Sequence, residues 1–261
     1  MDCLVINLAA ANTRMAFMAD QLDALGIPFQ RLEAVTPDTI GELAQAYNWS
    51  SWERPLKETE KACFLSHVNA WKYAATQDCD TLILEDDALL SRHTPKVLKA
   101  LEDIGGVEHV TLEVRRRKKI VSKTGRQIGS AHQLLRLYQD RSGAAAYVLS
   151  PSGAQKLLAR ASTQVALADA MICKAYELKS FQIEPACAVQ LDRALAYGIG
   201  ATPNTVSQID AGKLIASNKH SFGFRARRIG AQLRMAVRAL LHLGVAERRE
   251  IRLNPEDFQR S

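Results

Sequence analysis

The sequence predicts an α/β protein with a mainly parallel central sheet covered by helices. Two observations support this fold class: apolar, strand-like runs alternate with helix-like stretches along about the first hundred residues, and the third such run, residues 81–84, ends directly in Glu85-Asp86-Asp87. Alternating strands and helices favour parallel pairing. Ligands of such sheets bind beyond the carboxyl ends of the strands, so this acidic turn stands where a binding site is expected.

The first part of the chain is predicted as strand, helix, strand, helix and strand. These elements are expected over residues 3–8, 14–25, 29–35, 59–77 and 81–84. Gly26 and Pro28 end the first helix, because both residue types interrupt a helical pattern. Thr59 is expected to cap the second helix.

The later elements surround a basic, turn-rich stretch, residues 115–130, which is expected to be a mobile loop or a hairpin. Strands are predicted at residues 110–114, 134–138, 144–149 and 181–189, and helices at 151–161 and 168–178. From Gly212 onward arginine becomes frequent. The main domain is therefore predicted to cover residues 1–211, and a basic, partly amphipathic helical extension residues 212–261.

The composition argues against several classes of protein. No run approaches the roughly 20 apolar residues of a membrane-spanning helix, and the N-terminus lacks a basic leader, so we expect the protein to be cytoplasmic. The five cysteines are scattered without a Cys-x-x-Cys pair, which argues against a disulfide framework and against a structural zinc site. The formal net charge of +6 favours an anionic partner.

Glu85-Asp86-Asp87 places carboxylates on three consecutive residues. If the backbone is extended there, Glu85 and Asp87 point to one side and Asp86 to the other. Oxygen ligands of this kind suit a hard divalent cation such as Mn²⁺ or Mg²⁺. A solvated acidic turn is the alternative, and the apolar strand that fixes the triplet at the mouth of the sheet weighs against it.

Three further groups have both a functional and a structural interpretation. His67 lies on the second helix, where a hydrogen-bonded structural histidine is expected. Asp169 stands at the head of the predicted helix 168–178, where it either caps free N–H groups or acts in catalysis. The basic run of residues 115–119 is either a solvated loop or a binding site for phosphate groups.

The extension carries a basic amphipathic pattern. Its apolar residues at helical spacing are Ile229, Leu233, Val237 and Leu240, and the basic residues of a neighbouring face are Arg227, Arg234, Arg238 and His242. Helices of this type lie on anionic membrane surfaces. We therefore predict peripheral association with the inner face of the cytoplasmic membrane. The alternative is a helix packed on the domain with its arginines in water.

Taken in order, these residues resemble the family 25 glycosyltransferases of bacterial lipooligosaccharide synthesis, which are related to the collagen galactosyltransferases. The resemblance covers about residues 3 to 190 and is carried by Val5-Ile6-Asn7-Leu8 with Arg14, Glu60, Cys63, Ser66-His67 with Trp71, Leu84-Glu85-Asp86-Asp87, Ala146-Tyr147-Val148-Leu149, Gly153-Ala154, Leu157-Leu158, Asp169, Pro185 and Gln190. An ordered set is far more specific than any single member. The sequence departs from the family's glycine-containing pattern at Thr36-Pro37, Thr59 and Ala62.

The resemblance implies a GT-A-like, Rossmann-related fold and a nucleotide diphosphate sugar donor, commonly UDP-galactose. It further implies transfer of the hexose, with inversion at the anomeric carbon, to a saccharide acceptor of lipopolysaccharide that is expected to be lipid-linked. Glu85 and Asp87 would hold Mn²⁺ or Mg²⁺, and Asp169 is the candidate catalytic base. The residues expected near the donor are Asn7, Leu8, Arg14 and Asp86.

Two other functions stay open at the level of sequence. A non-enzymatic membrane-surface or nucleic-acid binding protein would use the basic extension but would leave the acidic turn without a role. Because aromatic residues for base stacking are not interleaved with the basic ones, no nucleic-acid partner is expected. A receiver-like phosphoacceptor module also sets acids at strand ends, but the chain is longer than such a module.

Overall fold

The computed structural model describes residues 1–141, 143–200 and 222–259. The strands of this part of the chain are β1 (Asp2–Asn7), β2 (Gln30–Glu33), β3 (Thr81–Glu85), β4 (Ala88–Leu90), β5 (His109–Thr111), β6 (Lys119–Ile128), β7 (His132–Gln139), β8 (Ala146–Leu149), β9 (Ser180–Glu184), β10 (Ala188–Gln190) and β11 (Ala246–Arg249). Its helices are α1 (Asn12–Leu25), α2 (Glu58–Ala74), α3 (Thr94–Glu102), α4 (Pro151–Ala161), α5 (Ala168–Cys173), α6 (Leu191–Ala194) and α7 (Phe222–Leu241).

The described strands form a nine-stranded central sheet in the order β11-β6-β7-β9-β5-β8-β3-β1-β2, with β4 and β10 paired separately. The strands β1, β2 and β3 pair in parallel, as their alternation with helices predicted. The strands β7, β8 and β11 run opposite to the other six. The sheet of the described strands is therefore mixed: six of its nine strands run in one direction, but five of its eight neighbouring pairs are antiparallel. The reversed strand β8 lies between β3 and β5, and the strands from β9 to β11 alternate in direction.

Helices cover both faces of the sheet. Along β1 the side chains alternate, with Cys3 and Val5 in the core under α1 and α3, and Leu4 and Ile6 in the core under α2, α4 and α5. This period of two is what a strand buried on both faces requires. The continuous apolar run at the N-terminus is explained by this position in a three-layer arrangement.

The predicted helix 168–178 is shorter than expected, since α5 ends at Cys173. Two other differences from the predicted elements have identifiable reasons. Residues 181–189 form two strands, β9 and β10, since Pro185 between them has no N–H to donate to a ladder. Thr59 lies inside the first turn of α2; the backbone N–H of Lys57 instead donates to Glu60 Oε2 at 2.9 Å. The basic stretch between the predicted strands is the hairpin of β6 and β7, which was one of the two alternatives.

The predicted domain boundary between residues 211 and 212 lies outside the described residues. Beyond it, β11 pairs antiparallel with β6, so the end of the predicted extension contributes an edge strand to the central sheet and is not wholly helical. Among the helices of the described ranges, none combines the length and the apolar character needed to cross a membrane.

Candidate functional site

A cavity of about 490 Å³ opens at the carboxyl ends of β1, β2 and β3. Its walls include residues at or just after the ends of these strands: Leu8, Val35, Glu85, Asp86 and Asp87. Residues from α2 and from the head of α5 complete the enclosure. Parallel strands that end at one edge thus bring together segments far apart in sequence, as expected for an α/β sheet.

The carboxylate of Asp86 accepts hydrogen bonds from two side chains of the N-terminal part of the chain. Arg14 Nη1 donates to Asp86 Oδ1 at 2.8 Å, and Asn7 Nδ2 donates to Asp86 Oδ2 at 2.7 Å. Arg14 is positioned by α1, and Asn7 is the last residue of β1. Asn7 lies behind Asp86 with 1% of its surface exposed, and the cavity wall includes Arg14 and Asp86 but not Asn7.

Glu85 is oriented by a chain of aromatic residues from α2 and β8. His67 Nε2 lies 3.1 Å from Glu85 Oε1, and His67 Nδ1 lies 2.9 Å from the hydroxyl oxygen of Tyr147, which also accepts from Trp71 Nε1 at 2.9 Å. Because Trp71 can only donate, the hydroxyl hydrogen of Tyr147 is free to point at Nδ1. This assigns the Nε2–H tautomer to His67, which then donates to Glu85. His67 is hydrogen-bonded through both ring nitrogens, as the sequence predicted.

Asp87 faces the cavity, and no cationic side chain of the described residues lies at hydrogen-bond distance from its carboxylate. Gln190 Nε2 lies 3.4 Å from Asp87 Oδ2 and 3.3 Å from Glu85 Oε2, so both carboxylates converge on one amide group. Burial, together with the negative charges of Glu85 and Asp86, raises the pKa of Asp87 to about 7. The site therefore has an excess of negative charge that a cation would relieve.

Asp169 lies in the first turn of α5 and lines the same cavity as the acidic turn. Burial raises the pKa of its carboxyl group, the N–H of Ala170 lowers it, and the charge of Glu85 raises it further. The carboxylate thus both accepts from the helix and faces the cavity. A raised pKa makes a carboxylate a better proton acceptor once it is ionised.

The basic side of the cavity comes from two arginines. Arg115 and Arg193 both line the wall, and Asp192 lies between them, with its Oδ2 at 3.9 Å from Arg115 Nη2 and 3.1 Å from Arg193 Nε. The basic run of residues 115–119 is therefore divided. Arg115 faces the cavity, whereas Lys119 is buried and pairs with Asp140 at 2.6 Å.

The structure brings six of the seven predicted site residues to the cavity wall, and the seventh, Asn7, contacts one of them. Sequence reasoning did not assign site roles to Gln190, Tyr147 or Arg193. Gln190 reaches the acidic turn because β10 pairs with β4, the strand that directly follows this turn. No spacing rule connects positions about a hundred residues apart, so only the fold reveals these contacts.

The family model described as "Glycosyltransferase family 25 (LPS biosynthesis protein)" matches residues 1–172. The chain belongs to glycosyltransferase family 25. The matched residues begin with β1 and end in α5, so they contain Arg14, the acidic turn and Asp169. The resemblance that the ordered residues suggested is thereby confirmed.

This family 25 glycosyltransferase is similar to proteins of two bacteria. It is 27% identical over 204 residues to the lipooligosaccharide biosynthesis protein lic2B of Haemophilus influenzae, a match that covers 71% of this chain and 74% of that protein. It is 38% identical over 97 residues to the lacto-N-neotetraose biosynthesis glycosyltransferase LgtB of Neisseria meningitidis serogroup B. That second match covers 36% of this chain and 35% of LgtB.

Among solved structures, the chain is similar to the inositol-1-phosphate CTP transferase from T. maritima. The TM-score is 0.44 at 12% sequence identity, over 73% of this chain and 89% of that one. This likeness is too small to indicate a function for this glycosyltransferase.

Proposed function

We propose that this glycosyltransferase moves a hexose, with galactose as the favoured sugar, from a UDP-sugar to a saccharide acceptor in lipooligosaccharide synthesis. The observation that carries the proposal is the convergence of Glu85, Asp87 and Asp169 on one cavity at the carboxyl ends of parallel strands. The proposal includes a GT-A-like fold and inversion at the anomeric carbon. The names of lic2B, a lipooligosaccharide biosynthesis protein, and of LgtB, a lacto-N-neotetraose biosynthesis glycosyltransferase, support the acceptor class.

The acidic turn fits a hard divalent cation, Mn²⁺ or Mg²⁺. Glu85 Oε2 and Asp87 Oδ2 both lie within 3.5 Å of Gln190 Nε2, so oxygen donors are gathered around a small volume. Asp86 already accepts from Arg14 and Asn7, which leaves Glu85 and Asp87 as the metal ligands. When bound there, the cation would neutralise charge on the diphosphate leaving group.

Residues around the acidic turn would make the remaining contacts with the nucleotide-sugar donor. Asp86 fixes the guanidinium of Arg14 at the cavity wall, next to Leu8, where the nucleotide would lie. Arg115 and Arg193 supply positive charge for the diphosphate, because among the described residues a single acid, Asp192, pairs with both of them. Asn7 acts through Asp86 and is a positioning residue.

Asp169 is the proposed base for the acceptor hydroxyl. Inversion in a single displacement requires a group on the face opposite the leaving group that accepts the hydroxyl proton during attack. Asp169 lines the cavity on α5, whereas the acidic turn follows β3. The N–H of Ala170 keeps the carboxylate oriented, and the ionised group then accepts the proton.

The test is UDP release from a panel of UDP-sugars with a saccharide acceptor. We expect turnover with Mn²⁺, no turnover with EDTA, and a loss of about 10²–10⁴-fold in Asp169→Asn at unchanged UDP affinity. Full turnover in EDTA would refute the cation. Wild-type turnover in Asp169→Asn would remove that residue as the base.

The helix α7 supports a second part of the proposal, peripheral binding to an anionic membrane. Its apolar residues point away from the body, with Ile229, Leu233 and Val237 each more than half exposed. The inward contacts are polar, since Arg227 donates to the Trp52 carbonyl and Arg238 to the Tyr138 carbonyl. An outward apolar row beside further arginines matches a helix that lies in a lipid interface.

A further inference from the structure

A second group of potential metal ligands lines the same cavity as Asp87. The ligand atoms of Cys63, His67 and Glu85 all lie within 4.8 Å of one another. Cys63 and His67 are four residues apart on α2 and therefore share one face of the helix, while Glu85 ends β3. All three residues line the cavity, so the space between them is accessible from it.

The donor atoms of this group differ from those of the acidic turn. A thiolate sulfur, an imidazole nitrogen and a carboxylate oxygen suit Zn²⁺, whereas Mg²⁺ and Mn²⁺ prefer oxygen alone. Three protein ligands with one position open to a cavity is the arrangement of zinc sites that exchange their fourth ligand. The sequence argued against a structural zinc site because no cysteines are paired, and that argument does not apply to a site with a single cysteine.

The surroundings of His67 support a metal at its Nε2 atom. Metal-bound histidines are oriented through the other ring nitrogen, and His67 Nδ1 lies 2.9 Å from the Tyr147 hydroxyl, which Trp71 holds in turn. The imidazole ring also stacks on Tyr147, with a centroid distance of 5.9 Å. His67 is fully buried, so this ring has little freedom to turn away from Glu85.

We propose that Cys63, His67 and Glu85 bind Zn²⁺. On binding, the Cys63 thiol releases its proton to solvent. The Nε2 proton of His67 is also released while Nδ1 takes up a proton, which is donated to the Tyr147 oxygen as the Tyr147 hydroxyl hydrogen turns away from Nδ1. The imidazole remains neutral, and Zn²⁺ replaces the hydrogen bond that joins His67 to Glu85 at 3.1 Å.

The experiment is a zinc titration of the full-length, EDTA-treated and dialysed protein in competition with a chromogenic chelator. We expect Cys63→Ser to weaken zinc binding by at least about 100-fold, since removal of outer-shell partners alone costs 10–100-fold. Cys79→Ser is the matched control, because Cys79 lies outside the cavity wall, and it should bind zinc like the wild type. Equal affinity in Cys63→Ser and wild type would overturn the proposal.

Cobalt substitution gives an independent measurement that does not depend on how well a variant folds. A Co²⁺–thiolate bond produces charge-transfer absorption in the near ultraviolet, which oxygen and nitrogen ligands do not produce. The band is expected in the wild type and in Cys79→Ser. Its absence from the wild-type protein loaded with Co²⁺ would show that Cys63 is not a ligand and would contradict the site.

A second consequence rests on the proposed function, because Glu85 belongs to both ligand sets. Zinc and the cation of the acidic turn would then exclude each other, and Mn²⁺ with UDP is expected to weaken zinc binding in the wild type. Zinc binding that depends on Cys63 but is unaffected by Mn²⁺ and UDP would keep the zinc site and contradict the proposed role of Glu85 in donor binding.

Discussion

Asp86 and Asp87 are adjacent in sequence but have opposite electrostatic surroundings. Asp86 is compensated by Arg14 and hydrogen-bonded by Asn7. Among the described residues, the amide of Gln190 is the side-chain group that donates toward Asp87, and burial with two neighbouring carboxylates raises the pKa of Asp87 to about 7. Asp86 therefore forms part of the framework of the site, whereas the negative charge of Asp87 has no paired cation among the described residues. Such imbalance is typical of functional positions.

Removal of the Asp87 charge is expected to stabilise the cation-free protein. The folded pKa of about 7 lies above the ordinary value of 3.8, so folding stability contributed by this group falls as pH rises from about 4 to about 7. In EDTA, Asp87→Asn should exceed the wild type in free energy of unfolding by on the order of 1–3 kcal/mol at pH 8, with little difference near pH 4. Urea unfolding at a series of pH values measures this.

Asp38→Asn is the matched control for that series, because Asp38 is exposed and loses the same charge. It should follow the wild-type curve at every pH. An Asp87→Asn protein that is less stable than the wild type at pH 8, or a difference that does not vary with pH, would contradict the electrostatic account of this residue.

At the scale of single residues, the sequence predicts which residues stand at strand ends. It does not predict which side chains of other elements contact them. Glu85, Asp86 and Asp87 follow an apolar strand, so their place at the cavity could be inferred. Their partners could not, since His67 and Gln190 reach Glu85 across 18 and 105 positions through different elements. Side-chain partners depend on pairing between strands, which composition and spacing do not specify.

Among the elements, the junction of β8 and α4 shows why a glycine is needed. Ser150 Oγ accepts from the N–H of Gly153 at 3.0 Å and begins the helix, which packs closely against the segment before β5. A methyl group on Gly153 would overlap the carbonyl oxygen of Glu108 and lie 3.1 Å from Leu149 Cδ1. This carbonyl also accepts from the N–H of Ser150, so it is fixed in place.

Gly153→Ala is therefore expected to destabilise the protein by about 1–3 kcal/mol, the usual cost of overpacking a rigid contact. Gly105→Ala is the control, because nothing lies within 4 Å of an added methyl group there. Thermal unfolding of both variants beside the wild type measures the difference. Equal midpoints for the two variants would show that the backbone near Glu108 moves at little cost.

Elements with strong local signals were predicted well, and elements defined by pairing were not. The bounds of α4 agree with the prediction, since Ser150 and Pro151 mark its start. The reversed direction of β8 could not be predicted, because a buried strand is apolar on both faces in either direction. The edge strand β11 was missed because three of its four residues are charged, so its sequence has no row of apolar side chains that would predict a strand.

At the scale of the whole molecule, the orientation of α7 determines how the protein would meet a membrane. We expect co-flotation with vesicles containing anionic phospholipid and little with neutral vesicles. The double variant Leu233→Ser and Val237→Ser should bind at least about tenfold more weakly, because two exposed apolar side chains no longer enter the lipid. Substitution is preferable to truncation, since truncation would also remove β11 from the sheet.

Leu195→Ser is the control for flotation, because Leu195 is 78% exposed but lies outside α7. It should float like the wild type. Flotation of the double variant at the wild-type level would contradict membrane binding through this helix. Equal binding to neutral and anionic vesicles would remove the electrostatic part of the account.

Glu85 and Asp87 are proposed to couple a cation to the donor nucleotide, and calorimetric titration of UDP measures that coupling. UDP is expected to bind the wild type and Asp38→Asn in Mn²⁺ but far more weakly in EDTA, and Asp87→Asn is expected to lose this difference. Equal UDP affinity in Mn²⁺ and in EDTA, or a Mn²⁺ effect that persists in Asp87→Asn, would contradict it.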